Sequence, residues 1–257
     1  MGKGDHNLDG MVALVTGASR RVGRAIAVEL AHAGADVAVH FRSGSQDARE
    51  TINQIRSLRR QGIGVQADLT EESSWAYVVE QVRKGLGRLD ILVNNASAFL
   101  TDKPDTVARF DPAHWEAMFR IHVLAPMGLV SHAEPLLSRS GRGSVINLCD
   151  ISAERPWKNH LAYCTSKAGL VALTKGLAVA LAPRVRVNGV SPGIAVFPRE
   201  YDVALRKKLS QRVPLKRSGS PKEVAQLVRF LVESGDYITG QVIAIDGGRS
   251  VASSETG

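Results

Sequence analysis

Short apolar runs alternate along the chain with longer stretches whose apolar residues recur every three or four positions. Met11 to Thr16, MVALVT, is the first run and predicts a buried strand. A glycine turn, GASRRVGR, leads into AIAVELAHAG, whose spacing predicts a helix ending at Gly34. ADVAVHFRSGSQ gives a second strand ending near Phe41, and Ala48 to Arg60 a polar amphipathic helix. The alternation continues with a strand over Ile63–Ala67, a helix over Glu71–Leu86 and a strand over Leu89–Val93. Thr101 to Asp111 is polar, contains Pro104 and reads as a surface loop, after which Ala113 to Leu137 predicts a long helix kinked at Pro126. Ser144–Leu148 is the fifth strand, Leu161–Leu181 the sixth helix and Val185–Val190 the next strand, closed by an SPG turn at Ser191. Glu200–Gln211 is a basic helical excursion, Pro221–Val232 a further helix and Gln241–Ile245 the last strand. Strands and helices alternating through short turns predict an α/β fold, a doubly wound parallel sheet with helices on both faces.

Candidate chemistry gathers where the predicted strands end. Tyr163 and Lys167 stand at i and i+4, which puts them on one face of the sixth helix, and Asp150 lies just past the fifth strand. An ammonium near a phenol favours the phenolate and lowers its pKa, whereas a carboxylate raises it. A strand, glycine turn and helix aim backbone N–H groups and a helix dipole at an anion, and Gly17 and Gly23 let a pyrophosphate come close. The second strand ends in His40, Phe41, Arg42 and Ser43, with no carboxylate until Asp47. A basic residue there accommodates the extra phosphate of NADP, so NADPH is expected over NADH, with Arg20 and Arg21 adding charge from the turn. Asp68 follows the third strand, where it can accept from an adenine amino group. NNASAF at Asn94 to Phe99 follows the fourth.

The chain has 257 residues, 44% of them apolar, enough for one domain with a substantial core and no second domain. No run approaches the length needed to span a bilayer, and the start is polar without a signal-peptide core, so a cytoplasmic protein without membrane contact is expected. Cys149 and Cys164 are too few for a disulfide framework, read as small buried hydrophobes, and have no histidine spacing around them that suggests a metal. The formal charge is +8, but the cations are scattered and aromatics make up only 5% of residues, which argues against nucleic-acid binding and allows a phosphorylated small molecule.

Taken in order, TGASRRVG at Thr16, NNAS at Asn94, YCTSK at Tyr163, VNGVSPG at Val187 and TGQVIAIDGG at Thr239 resemble the short-chain dehydrogenase/reductase family from Met11 to about Gly248. Three departures from its commoner pattern look like the pteridine reductase branch: Arg21 in place of the middle glycine, Asp150 in place of a serine thirteen residues before the tyrosine, and Phe99 in NNASxF. A fourth departure, His122 where the wider family has an asparagine, reads as a satisfied structural group on a half-buried helix.

The resemblance implies one dinucleotide-binding domain over 1–257, with a core of about 11–248, polar tails, a seven-stranded sheet ordered 3-2-1-4-5-6-7, and a homotetramer built on the two long helices. It implies that Gly17, Ser19, Arg20, Arg21, Val22, Gly23, Arg42, Ser43, Asp68, Leu69, Asn95, Ala96, Lys167, Pro192 and Gly193 hold NADPH. Arg21, Ser97 and Phe99 would line the substrate slot with Asp150 and Tyr163, under the loops at 100–110 and 197–213. Asp150, Tyr163 and Lys167 would be catalytic, with Tyr163 giving a proton to the ring nitrogen of a dihydropterin or folate. Two alternatives stand beside this: a carbonyl reductase such as a 3-oxoacyl-carrier-protein reductase, with Ser152 as a displaced serine, and a dinucleotide-binding regulator without turnover.

Overall fold

Strands buried on both faces of a parallel sheet need apolar residues on both, and the alternation of side chains then divides one sequence between two cores. In the computed structural model, which describes residues 8–99, 105–198 and 200–252, this is how the fold is built. The elements in order are β1 (Val12–Val15), α1 (Arg21–His32), β2 (Asp36–Phe41), α2 (Ser45–Ser57), β3 (Gly62–Gln66), α3 (Ser73–Leu86) and β4 (Ile91–Asn94). They continue with α4 (Pro112–Phe119), α5 (Ala125–Arg139), β5 (Gly143–Leu148), α6 (Leu161–Leu181), β6 (Val185–Pro192), α7 (Val203–Gln211), α8 (Pro221–Glu233) and β7 (Val242–Ile245).

All seven strands pair in parallel in the order β3-β2-β1-β4-β5-β6-β7, as the resemblance implied. Ala13, Val15, Val37, Val39, Ile91, Val93 and Ile146 face one core with Ile26 and Leu30 of α1 and Val228 and Leu231 of α8. Val12, Leu14, Ala38, Leu92, Val145 and Val187 face the other, against α3, α5 and α6. Helix α6 has the length and apolarity of a membrane span, yet it lies along β6 and buries Tyr163 and Lys167. Both cysteines are buried and free, as expected.

The long helix predicted over Ala113–Leu137 is divided. Between α4 and α5 the residues Arg120–Leu124 form a π-helical turn, with Ala125 N–H donating to the carbonyl of Arg120. Pro126 has no N–H for the carbonyl four residues back and its ring crowds that carbonyl, so the strain expected as a kink is taken up as a wider turn just before it. Two smaller boundaries also move. Helix α7 starts at Val203 because Asp202 caps it, its side chain accepting from Leu205 N–H at 2.7 Å, and β6 runs on through Pro192, so the SPG turn begins later than expected. Leu100–Pro104 of the predicted surface loop, Arg199 of the excursion and the outer parts of both tails lie outside the described residues. What is described of the surface loop is not all surface: Asp105 is buried, pairs with His160 in an isolated bridge and accepts from Ala162 N–H at the start of α6.

One side chain buttresses the glycine turn from below. His40 Nδ1 accepts from Gly17 N–H at 3.2 Å and Nε2 donates to the Ala67 carbonyl at 3.1 Å, which requires a neutral ring. Burial pulls its pKa from 6.5 down to about 4, against the pull of the Ala67 carbonyl and Asp68. Between those values the unfolded chain binds a proton that the folded chain refuses, so stability falls as pH drops from 6.5 toward 4. His40 alone contributes a slope of about 1.4 kcal/mol per pH unit and roughly 3 kcal/mol in all. Urea unfolding measured across this window should show the loss, and His40→Gln should flatten that part of the slope. An equal slope in the variant would remove His40 as its source.

Candidate active site

The order in which strands are added reverses at β1, which has β2 on one side and β4 on the other, and a crevice opens beyond the carboxyl ends at such a point. Here the two ends are laced together. Thr16 Oγ1 accepts from the N–H groups of Asn95 and Ala96, both at 2.9 Å, and Asn95 Nδ2 donates to the carbonyls of Thr16 at 2.7 Å and Gly17 at 3.2 Å. A methyl group on Gly23 would come within 2.3 Å of the Gly17 carbonyl and 2.6 Å of Asn95 Nδ2, so glycine is obligatory there. Arg24 pins the turn from behind, donating to the Ser19 carbonyl at 2.7 and 3.0 Å and to the Asp47 carbonyl at 3.0 Å.

The turn ends at the start of α1, whose N-cap residue Arg20 makes no side-chain capping bond and whose first turn holds no acid. Free N–H groups, a positive dipole end and flanking arginines fit a pyrophosphate. Arg21 occupies the left-handed region with φ 54°, the conformation for which glycine is the usual residue. Its guanidinium does not stay over the turn: Nη2 donates to the carbonyl of Phe197 at 3.2 Å, joining the glycine turn to the substrate-side excursion. Arg42 and Ser43 are exposed beyond β2, with Arg42 Nη1 3.8 Å from Asp68 Oδ2. Asp68 is held by Thr70, whose N–H and hydroxyl donate to it at 2.9 and 2.7 Å. Leu69 points into the core, and its carbonyl accepts from Trp75 Nε1. Pro192 and Gly193 stand at the end of β6, Gly193 packed against Asp246. The glycine turn, Arg42, Asp68, Asn95 and Pro192 thus lie at the carboxyl ends of β1, β2, β3, β4 and β6.

The ionisable groups meet beside that edge. Asp150 leaves β5 with Oδ1 accepting from Ser152 N–H at 2.8 Å, which aims Oδ2 at Tyr163, whose phenol donates to it at 3.0 Å. Lys167 is fully enclosed, donates to the carbonyl of Leu148 at 2.8 Å and lies 5.8 Å from the centre of the Tyr163 ring. Burial lowers the Lys167 pKa, opposed by Asp150 and Cys149. For Tyr163 the direction is upward, well above its ordinary value, from burial first and then from the charge and hydrogen bond of Asp150. Of the two opposed influences expected on the phenol, the raising by the carboxylate prevails over the lowering by the ammonium, which is held on a carbonyl.

Ser97 and Phe99 arrive on the strand end after β4. Ser97 hydrogen-bonds His122 Nε2 at 2.8 Å and reaches the Tyr163 phenol. Phe99 is 39% exposed and meets Tyr163 edge to face at 5.0 Å, His160 at 4.9 Å and Trp157 at 5.9 Å. Trp157 in turn stacks on Tyr163, with 13° between the planes. Trp157 and His160 were not among the expected site residues, although both lie in the stretch between Asp150 and Tyr163, where an aromatic residue was the available signal. His122 was read as structural. It is buried with both ring nitrogens bonded, on the π-helical turn and edge-on to Tyr163 at 5.4 Å. Ser152, the alternative serine, meets Asp150 through its backbone N–H, and its buried hydroxyl does not bond the phenol.

Comparison with known proteins matches this architecture. The family model described as enoyl-(acyl carrier protein) reductase matches residues 17–250. The chain is 31% identical to the 3-oxoacyl-(acyl-carrier-protein) reductase of Staphylococcus epidermidis over 240 residues, 92% of this chain and 97% of that one. Among solved structures it is similar to the FolM alternative dihydrofolate reductase 1 of Brucella canis complexed with NADP, at 32% identity, a TM-score of 0.86 and 98% coverage of both chains. It is also similar to a double mutant of a short-chain dehydrogenase/reductase from Serratia marcescens, at 31% identity and a TM-score of 0.88, covering 95% of this chain and all of that one. With the sheet order, the laced glycine turn and the tyrosine and lysine on α6, the chain belongs to the short-chain dehydrogenase/reductase family.

Proposed function

We propose that this oxidoreductase uses NADPH to reduce a flat nitrogen heterocycle of the pterin or folate class, from the dihydro to the tetrahydro form. The observation that carries the reading is the 3.0 Å bond between Asp150 and the Tyr163 phenol beside the half-exposed ring of Phe99. A planar ring suits the aromatic wall of Phe99 and Trp157. A phenol kept protonated suits delivery of a proton to a ring nitrogen. The similarity to an alternative dihydrofolate reductase complexed with NADP supports both halves of the proposal.

Bound NADPH supplies the hydride. The free N–H groups at the start of α1 and the arginines of the turn fit its pyrophosphate, while Arg42 and Ser43 stand where a basic and a hydroxyl residue accommodate the additional phosphate. Lys167, held on the Leu148 carbonyl, donates to ribose hydroxyls in this reading and offsets the charge left on Tyr163. Tyr163 gives the proton, Asp150 orients the phenol and returns a proton from solvent, and Ser97 and Phe99 position the ring beside Arg21. The same reading takes 1–257 as one reductase domain acting as a homotetramer, in keeping with the exposed apolar Leu124, Met127 and Val179 on and beside the long helices.

A carbonyl reductase acting on acyl thioesters is the second reading, favoured by the name of the family model and by the staphylococcal relative. The aspartate at 150 weighs against it, because it stands where the commoner pattern has a serine, and an ionised carboxylate cannot donate to a ketone oxygen as a hydroxyl can. Dihydrobiopterin, dihydrofolate and an acetoacetyl thioester, each offered with NADPH and with NADH, separate the readings. The pterins should be reduced and the thioester left, with kcat/KM about tenfold or more higher for NADPH, the equivalent of one 1.4 kcal/mol phosphate contact. Turnover of the thioester alone would reverse the assignment, and equal use of NADH would overturn the coenzyme preference.

Asp150→Asn removes the charge and leaves the burial. The Tyr163 pKa should fall by about one unit or more while remaining above that of an exposed tyrosine. Tyrosinate absorbance titrated against a Tyr163→Phe control reads this, and an unmoved titration would show that Asp150 does not set the state of the phenol.

A further inference from the structure

Three short contacts around His122 leave each hydroxyl one direction for its hydrogen. Ser166 Oγ lies 2.8 Å from the carbonyl of Tyr163, which only accepts, so the Ser166 hydrogen is committed there. The second contact of that hydroxyl, 2.8 Å to His122 Nδ1, is then made by an Nδ1–H donor. His122 stays neutral, its pKa driven down to about 2 by burial and then by the nearby Lys167 ammonium. A neutral ring carrying its hydrogen on Nδ1 presents a lone pair at Nε2, and Ser97 Oγ, 2.8 Å away, donates to it. Toward Tyr163 the Ser97 hydroxyl has only lone pairs left.

We propose that His122 is a positioning residue for the proton donor: by taking the Ser97 hydrogen it withholds from Tyr163 the one that would favour a tyrosinate, and leaves the phenol donating to Asp150. The inference rests on the reading of Tyr163 as the acid. When the Oη–H bond breaks and the proton passes to the substrate nitrogen, the tyrosinate needs a donor. Ser97 can turn to supply one only by stripping the buried His122 Nε2 of its own, which costs the desolvation of an unpaired nitrogen. His122 thereby opposes lasting tyrosinate and favours return of a proton to Tyr163.

The π-helical turn is what brings the imidazole between Ser97 of one element and Ser166 of another. Asp150, Cys164 and Lys167 also surround Tyr163, with His160 across the Phe99 ring. Among the described residues the hydrogen bond of Ser97 is to His122 Nε2, and the tautomer of that ring decides which way the hydroxyl points its hydrogen.

Nitrogen-15 NMR of the unaltered, histidine-labelled protein reads the tautomer directly. The His122 signals should report a neutral ring with its hydrogen on Nδ1 throughout the neutral range. An Nε2–H ring, or titration near the ordinary histidine value, overturns the proposal whether or not any variant folds. In His122→Phe the Ser97 hydrogen is free to reach the tyrosinate, and the alkaline limb of kcat should move down by about one to two pH units. In a Ser97→Ala background the same substitution should move it no further. An unmoved limb in a folded His122→Phe protein, or an equal shift without Ser97, contradicts the role. Turnover retained by Tyr163→Phe would sink the acid assignment itself, whereas loss of turnover there with inert histidine variants would sink only this inference.

Discussion

A buried phenol 3.0 Å from a carboxylate cannot readily ionise, and the rest of the site is arranged around that constraint. A tyrosinate at that distance from a carboxylate would be strongly repelled, because a buried site screens the two charges far less than water does. The ammonium of Lys167 would have to oppose that repulsion, yet it is anchored on the Leu148 carbonyl and beside the ring rather than at the oxygen. The balance therefore favours phenol, and the site is poised to give a proton rather than to take one. Asp150 can hold this position because its other oxygen is fixed by Ser152 N–H and because β5 delivers it at the sheet edge.

The same edge determines where a dinucleotide would lie. Thr16 ties the end of β1 to the backbone after β4, His40 supports Gly17 from beneath, and Arg24 holds Ser19 toward α2. These bonds fix the turn without spending the N–H groups at the start of α1, which remain for phosphate. Arg21 departs from that economy. It adopts a left-handed backbone at a cost of about 1–2 kcal/mol and sends its guanidinium to the Phe197 carbonyl, so the turn and the excursion before α7 are physically joined.

Much of this was legible in the sequence because it follows from periodicity. The central strands are apolar at nearly every position, as burial on both faces requires, and the strand and helix alternation gave all seven strands and most helices within a few residues. Asp150, Tyr163 and Lys167 were legible from spacing, since a strand end and one helical face suffice to place them. What was not legible depends on contacts between elements. Pro126 announced a break in the long helix, but the π-helical turn before it arises from how the carbonyls rearrange, and the turn rather than the proline places His122. Both opposed influences on the Tyr163 phenol, the ammonium lowering its pKa and the Asp150 carboxylate raising it, were legible, but the burial that contributes most to the upward direction was not. Asp105 sat in a polar loop and gave no sign that it would be buried at the start of α6. Trp157 needed only its neighbours Asp150 and Tyr163 to be brought together before its stacking on the phenol became visible.

The central claim is that Tyr163 gives the proton while the dinucleotide cleft functions independently of it. Tyr163→Phe removes one oxygen and leaves the ring packed against Trp157 and Phe99. Calorimetry should show NADPH binding nearly intact, while turnover of dihydropterin falls by about 10²–10⁴-fold, the range for loss of an acid catalyst. Undiminished turnover in that variant would contradict the account.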